Sequence, residues 1–332
     1  MLTRKLALAL GCALLCQASL PARGTEAPAV VATIAPLHSL VTGVMDGVGR
    51  PHLLLPGGAS PHSYALKPSD ARRLAEARVV FWIGETLEAF LERPLAALAG
   101  KARVIELLDA PGLVRLPVRE GGVWETHEDD HAKDGTENPG HAKDGHEAHK
   151  GADAHVWLDP ANARAMVAAI AAALAEADPA NAGAYAANAR AMNVRLDALD
   201  TRIAARLASV KERPYIVFHD AYQYFERRYG LRPAGAVTVG SGRAPGARRL
   251  VELRARIRDS GAGCVFIEPQ FEPRIAQTVV EGTDARIDTL DPLGAALTPG
   301  PDAYFALLDG LAEGLARCLA GGRADGQPGD GR

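Results

Sequence analysis

Residues 185–210, YAANARAMNVRLDALDTRIAARLASV, carry the clearest periodicity in the chain. Apolar residues recur at intervals that place them on one face of a helix, and they are Tyr185, Met192, Leu196, Leu199, Ile203, Leu207 and Val210. At about 1.5 Å per residue, a helix of about 30 residues would be about 45 Å long. Because that length exceeds one small lobe, the stretch predicts a mid-chain helix that braces two lobes.

Short apolar runs alternate with helical patterns on both sides of this helix. Before it, strands are predicted at 30–34, 53–55, 79–83 and 104–108, and helices at 68–77, 85–99 and 160–177. After it, strands are predicted at 215–218, 236–239, 264–267 and 287–290, and helices at 221–229, 247–259, 273–282 and 302–320. This alternation favours parallel sheets covered by helices. The predicted fold class is α/β, with two (β/α) lobes that contain small parallel sheets flanked by helices and are joined by one long bracing α-helix.

Length and charge agree with a globular protein of two domains. The chain has 332 residues, enough for two domains. The predicted division is a first lobe at 28–178, a linking helix at 179–212, a second lobe at 213–320 and a disordered tail at 321–332. The formal net charge of −3 shows no basic excess, so nucleic-acid binding has no electrostatic support.

The first 24 residues have the pattern of a secretory signal peptide. Arg4 and Lys5 precede an apolar run at 6–15, and small residues follow. The run is too short to span a bilayer as a helix. We therefore expect export to the periplasm and cleavage between residues 18 and 24, with lipid attachment at Cys12 or Cys16 as the alternative.

The pattern of strands and helices breaks at 125–150, which holds eight acidic residues and five histidines. Such a composition cannot bury a core, so it predicts a mobile loop. Clustered imidazoles and carboxylates favour weak, auxiliary zinc binding by the loop histidines, which are His127, His131, His141, His146 and His149. A solvated linker without function is the alternative. His127 to His131 also fits the H-E-x-x-H motif of zinc proteases, but that motif needs a buried helix, and this stretch has no apolar face.

Three other histidines lie where α/β proteins place their ligands. His62 lies in the loop PGGASPHSY at 56–64, His155 begins HVWLDP at 155–160, and His219 follows the strand YIVF at 215–218. Ligands of open α/β sheets bind at the carboxyl ends of strands, where a neutral imidazole can bind a metal. Each histidine alone is also compatible with a structural, hydrogen-bonded role.

The same segments resemble the metal-binding signatures of a known family. The pattern Pro61-His62-x-Tyr64-x-Leu66-x-Pro68-Ser69-Asp70, the segment at 155–160 and FHDAY at 218–222 are similar, in order, to the three histidine signatures of the zinc and manganese substrate-binding proteins of ABC transporters. EPQF at 268–271 and LDPLG at 290–294 resemble later segments. The resemblance covers nearly all of the mature chain, and it is best to the zinc-uptake, ZnuA-type branch.

This resemblance implies a metal site and a choice of metal. It implies that His62, His155 and His219 bind one Zn²⁺, because manganese-binding relatives carry a carboxylate at the third position, and imidazole suits zinc better than manganese. The acidic, histidine-rich loop is also typical of the zinc branch. The fourth ligand is left open between Asp291, which aligns with a carboxylate of the manganese relatives, and water.

The implied function is the capture of Zn²⁺ in the periplasm by a monomer that delivers it to an ABC permease and its ATPase, without enzymatic chemistry. A secreted zinc hydrolase is an alternative, because three histidines and a water also form a catalytic site. Its base would be Glu268 or Asp220, although Asp220 fits equally well as a partner of His219. A metal-binding surface adhesin is a third alternative, since some relatives are described in that way.

Only two cysteines, Cys264 and Cys318, remain after signal removal. In an oxidising compartment a single pair is interpreted as one disulfide, with two buried, unpaired thiols as the alternative. Members of the zinc branch resemble this chain in having a cysteine pair in the second lobe.

Overall fold

The computed structural model describes residues 27–119, 124, 151–238, 246–271 and 273–321. Three predicted regions lie outside these ranges. They are the signal peptide at 1–24, the acidic loop at 125–150 with its five histidines, and the tail beyond residue 321.

The first lobe contains a four-stranded parallel sheet with the strand order β2-β1-β3-β4. Its strands are β1 (Val30–Ala32), β2 (His52–Leu53), β3 (Val79–Trp82) and β4 (Arg103–Glu106). Its helices are α1 (Ala35–Val44), α2 (Pro68–Glu76), α3 (Glu85–Glu88) and α4 (Glu92–Leu98). Because the strands are parallel, all their carboxyl ends lie at one edge of the sheet.

Two features of this lobe differ from the sequence prediction. The single helix predicted at 85–99 is divided into α3, a 3₁₀ turn at Ala89–Leu91 and α4. Pro94 explains the break, because proline lacks an N–H and its ring is tolerated only in the first turn of a helix. Helix α1 was not predicted. It is mostly apolar and almost wholly buried, so it lacks the exposed polar face by which a surface helix is recognised.

The predicted bracing helix is present as α6 (Ala182–Leu207), which follows a 3₁₀ turn at Pro179–Asn181. Its buried face contains the predicted apolar residues Tyr185, Met192, Leu196, Leu199, Ile203 and Leu207, together with Ala189. Twenty-six residues correspond to roughly 39 Å. Helix α5 (Pro160–Ala177) precedes it, packs along it and begins as predicted. Asp159 caps α5 by accepting a hydrogen bond from the backbone N–H of Ala161 at 2.7 Å.

The second lobe repeats the topology of the first, with the parallel order β6-β5-β7-β8. Its strands are β5 (Tyr215–His219), β6 (Pro233–Thr238), β7 (Cys264–Ile267) and β8 (Arg286–Thr289). Its helices are α7 (Gln223–Tyr229), α8 (Ala247–Ser260), α9 (Pro273–Val280) and α10 (Ala303–Ala320). The predicted disulfide between Cys264 and Cys318 is confirmed, and it joins β7 to α10.

The two lobes share one continuous hydrophobic core, which includes α1, α5, α6 and α10. Helix α10 returns from the second lobe to pack on α1 and α6, so it is a second brace beside the predicted one. Tyr304 reinforces this contact, because its N–H donates to Ser39 Oγ at 2.9 Å and its hydroxyl donates to the Trp157 carbonyl at 2.6 Å. Two packed braces favour small, local motions over wide opening of the lobes. Within the described ranges, no helix combines the length and the apolar character needed to cross a membrane.

Candidate metal site

Three histidines from separate segments converge between the carboxyl edges of the two sheets. His62 lies in the turn after β2, His155 lies directly before the 3₁₀ turn Val156–Leu158, and His219 is the last residue of β5. In the part of the chain that the structure describes, they form the group of His, Cys, Asp and Glu side chains that could hold a metal ion. One ligand nitrogen from each lies within 4.8 Å of the others.

The spacing of the rings fits a metal that binds nitrogen. His155 Nε2 and His219 Nε2 face each other at 3.4 Å. A tetrahedral zinc site with Zn–N bonds of about 2.05 Å has ligand–ligand edges of about 3.3 Å. The ring centroid of His62 lies 5.5 Å from that of His155 and 6.0 Å from that of His219. The two buried histidines therefore already stand at the distance that a shared zinc ion requires.

Asp153 holds the His155 ring in a metal-binding orientation. Its Oδ1 accepts from the His155 backbone N–H at 3.0 Å and pairs with His155 Nδ1 at 2.8 Å. Both residues are buried, with 8% of His155 and 5% of Asp153 exposed. A carboxylate on Nδ1 favours the tautomer that leaves Nε2 free as a ligand.

Glu268 has the same role at His219. Its Oε1 lies 2.5 Å from His219 Nδ1, and the carboxylate is 2% exposed. Burial opposes the charged form of His219, but the Glu268 carboxylate, together with Asp220 and Asp153, outweighs this effect, and the pKa of His219 is raised. Glu268 follows β7, so the second lobe supplies both the ligand and the carboxylate that orients it.

His62 is exposed as a residue, and neither of its ring nitrogens has a hydrogen-bond partner among the described residues. Desolvation of its ring by surrounding protein, followed by repulsion from His155 and His219, lowers the pKa of His62 to about 3. The ring is therefore neutral at physiological pH and available to a cation.

Asp291, the predicted carboxylate ligand, makes other contacts. Its Oδ1 accepts from the N–H groups of Leu293 and Gly294 at 3.1 and 2.9 Å, and its Oδ2 accepts from Ala295 at 2.6 Å. These bonds fix the conformation of the loop after β8, which lies against the loop that carries His62. A Cβ atom on Gly57 would lie 2.5 Å from the Ala295 carbonyl oxygen, so this close approach requires glycine. Asp291 thus shapes the surface on which the His62 loop rests.

Asp220 does not serve as the partner of His219. Arg119 donates from Nε to Asp220 Oδ2 at 2.9 Å and also contacts Asp220 through Nη2. Arg119 Nη2 also lies 2.8 Å from Glu226 Oε2, a carboxylate that is almost fully buried on α7. This cluster joins the end of the first described segment to the second lobe beside the site.

The histidines open into a small, partly open cavity with mostly apolar walls. The walls are formed by Ser60, Pro61, Trp157, Glu268, Gln270, Phe271, Pro292 and Leu293. Phe271 lies with its ring centroid 5.7 Å from His219, and Trp157 lies 5.3 Å from His155.

Sequence reasoning missed Asp153 and Gln270. Asp153 stands two residues before a candidate ligand, so the short D-x-H spacing was the available signal.

Two α/β lobes of identical topology, joined by packed helices and carrying a histidine cluster between them, define a metal-binding protein of the solute-binding class. The sequence matches the family described as ZnuA, the periplasmic component A of a zinc-uptake complex, over residues 30–318. The chain belongs to this family.

Individual relatives support the match along nearly the whole chain. The high-affinity zinc uptake system protein ZnuA of Brucella suis biovar 1 (strain 1330) is 47% identical over 315 residues, which cover 89% of this chain and 92% of that protein. A crystal structure of ZnuA aligns with a TM-score of 0.72 at 26% identity, covering 89% of this chain and 100% of the other. A ZnuA deletion mutant with zinc bound aligns with a TM-score of 0.71 at 26% identity, covering 91% and 100%.

Proposed function

We propose that this chain captures Zn²⁺ in the periplasm and delivers it to the permease and ATPase of an ABC importer. The observation that carries the proposal is that three imidazoles converge in one cavity between the lobes. Two of them are oriented by buried carboxylates. Membership of a periplasmic zinc-uptake family supports the location and the cargo. The ion is cargo here, so it must be bound tightly and still be released.

The proposed ligands are Nε2 of His155, Nε2 of His219 and a ring nitrogen of His62. An all-imidazole set suits zinc better than manganese, which prefers oxygen ligands. We propose water as the fourth ligand, because Asp291 is not in the group of described side chains whose ligand atoms meet, and its carboxylate holds the loop after β8 instead. This arrangement leaves one corner of the zinc tetrahedron open to exchange.

We propose capture without catalysis. A hydrolase would need a free carboxylate as a base beside the zinc ion. Glu268 is engaged with His219, and Asp220 is engaged with Arg119. Both candidate bases therefore have structural partners, which favours a transport role over hydrolysis.

We further propose that the chain acts as a monomer, and sedimentation of the purified mature protein tests this point.

Zinc titration of single histidine variants tests the proposed function. Replacing His62, His155 or His219 by alanine is expected to weaken Zn²⁺ binding at least tenfold, or about 1.4 kcal/mol. His52 in β2 lies outside the cluster, so His52→Ala is the matched control and should bind like the unmodified protein. Unchanged affinity in all three cluster variants would overturn the proposal. In cells, the same variants should fail to restore growth in zinc-depleted medium, whereas loss of surface adhesion without a growth defect would favour an adhesin.

A further inference from the structure

Gln270 has a side-chain amide beside the histidines that lacks a hydrogen-bond partner among the described residues. Both amide atoms, Nε2 and Oε1, are buried, and neither has a hydrogen-bond partner among the residues that the structure describes. The residue lines the same cavity as the three imidazoles. Since buried amides are nearly always hydrogen-bonded, an unpaired one in a binding cavity indicates a missing polar ligand.

The backbone on either side of Gln270 is held firmly. Glu268 is tied to His219, and the Phe271 N–H donates to the Glu268 carbonyl at 3.1 Å, which closes the turn. The Phe271 ring stacks on Phe218 with centroids 4.4 Å apart and an interplanar angle of 23°. The amide is therefore carried by a turn that is anchored on both sides to the segment that ends in His219.

Most of the other side chains that line the cavity are apolar or have polar atoms that are already hydrogen-bonded. Trp157 donates its Nε1–H to the Pro292 carbonyl at 2.8 Å, so its polar atom is used. Pro61, Pro292 and Leu293 present apolar surface. Glu268 is engaged by His219, so the Gln270 amide is the side-chain polar group of these described wall residues that is buried without a hydrogen-bond partner.

We infer that Gln270 positions the water molecule that completes the zinc tetrahedron, with the water O–H donating to the amide oxygen. This inference rests on the proposed zinc site. Three imidazoles supply three corners, and zinc polarises a water at the fourth, so that the water becomes a stronger donor. A neutral amide accepts this hydrogen bond without adding charge, so the site keeps a fourth ligand that can be exchanged. Gln270 is thus a positioning residue and makes no bond to zinc.

The test compares Gln270→Leu with Gln270→Glu and with Gln223→Leu. Leucine removes both polar atoms, whereas glutamate keeps an acceptor. Gln223 on α7 also has a buried amide oxygen without a partner among the described residues, and it does not line the cavity, so it controls for loss of a buried amide. Three quantities are measured on each protein: Zn²⁺ affinity, the visible absorption spectrum of the Co²⁺-loaded protein and the melting temperature of the metal-free protein.

The expected result is a loss of Zn²⁺ affinity of about tenfold in Gln270→Leu, as for other groups that orient metal ligands. The Co²⁺ spectrum should change in that variant and in Gln270→Glu, because both alter the fourth ligand's hydrogen bond, while Gln223→Leu should match the unmodified protein. Gln270→Glu should restore most of the affinity. The metal-free melting temperature of Gln270→Leu should not fall, since no protein hydrogen bond is lost.

Unaltered affinity and an unaltered Co²⁺ spectrum in Gln270→Leu would overturn the inference, provided that the unmodified protein binds zinc through the three histidines. A lower melting temperature of metal-free Gln270→Leu would also overturn it, because the amide would then have a structural role. Failure of the unmodified protein to bind zinc would instead overturn the proposed function, and this inference with it.

Discussion

The histidines of the site lie in two different surroundings. His155 and His219 are buried, each with Nδ1 on a buried carboxylate, and their Nε2 atoms are 3.4 Å apart. His62 lies in an exposed turn and depends on the contact of its loop with the loop after β8. The first pair is preorganised, so it binds without losing further side-chain freedom. The difference predicts that the buried pair contributes more to zinc affinity than His62 does.

The largest predicted effect is a difference in how much zinc affinity is lost when each of the three histidines is replaced. His155→Ala or His219→Ala is expected to weaken Zn²⁺ binding about 100-fold, or about 2.7 kcal/mol. His62→Ala should lose only about tenfold, because the preorganised pair remains. Competition titration against a chelator of known affinity measures all three on one scale. Equal losses in the three variants would show that the buried pair has no advantage.

The next prediction compares how the protonation of His219 and of His62 changes zinc affinity with pH. Burial opposes the charged form of His219, but Glu268, with smaller contributions from Asp220 and Asp153, raises the pKa of His219 overall, whereas the pKa of His62 falls to about 3. A protonated imidazole cannot bind zinc, so affinity should fall about tenfold per pH unit as the pH drops below the raised pKa of His219. His62 stays neutral in this pH range, so protons do not compete with zinc for its ring.

Glu268→Gln is the matched variant for this pH profile. Without the carboxylate, the decline should begin at a lower pH, while the affinity at high pH should drop by about tenfold because the ring loses its orienting partner. Calorimetry at several pH values measures both effects. A profile that keeps its midpoint in Glu268→Gln would show that another group governs the pH dependence.

A smaller effect should follow from disturbing only the His62 loop. Gly57→Ala places a Cβ against the Ala295 carbonyl oxygen, so the loop must move away from the second lobe. The loss of zinc affinity should not exceed that of His62→Ala, about tenfold. Gly100→Ala is the control, because no atom lies within 4 Å of its Cβ position and its φ is not positive. A larger loss than in His62→Ala would mean that Gly57 also supports the buried pair.

The smallest effect on the tight site is expected from deletion of residues 125–150. This segment lies outside the described residues, and its five histidines are not needed to form the cluster of His62, His155 and His219. Calorimetry should find one tight site in both proteins and additional weak binding only in the intact one, with the weak binding lost first below about pH 6.5. Loss of the tight site on deletion would make a loop histidine a primary ligand.

Sequence reasoning succeeded where the signal is local and periodic. The apolar face of α6 was readable from residues 185–207, and α5 and β7 begin and end as their local patterns predict. It failed at α1, which is buried on nearly all sides and therefore lacks the exposed polar face of a surface helix. It also failed at 85–99, where Pro94 divides a pattern that otherwise favours one helix.

The sequence by itself determined the α/β class and the long helix, and it singled out His62, His155 and His219 as candidate ligands. Only the tertiary structure decided how these groups meet. Glu268 and His219 are 49 residues apart in sequence and touch because β5 and β7 are neighbours in one parallel sheet. Asp291 was a candidate ligand by alignment, yet its backbone partners depend on how the loop after β8 folds. Side-chain pairing across strands and loops depends on chain packing, and residue order carries no direct record of it.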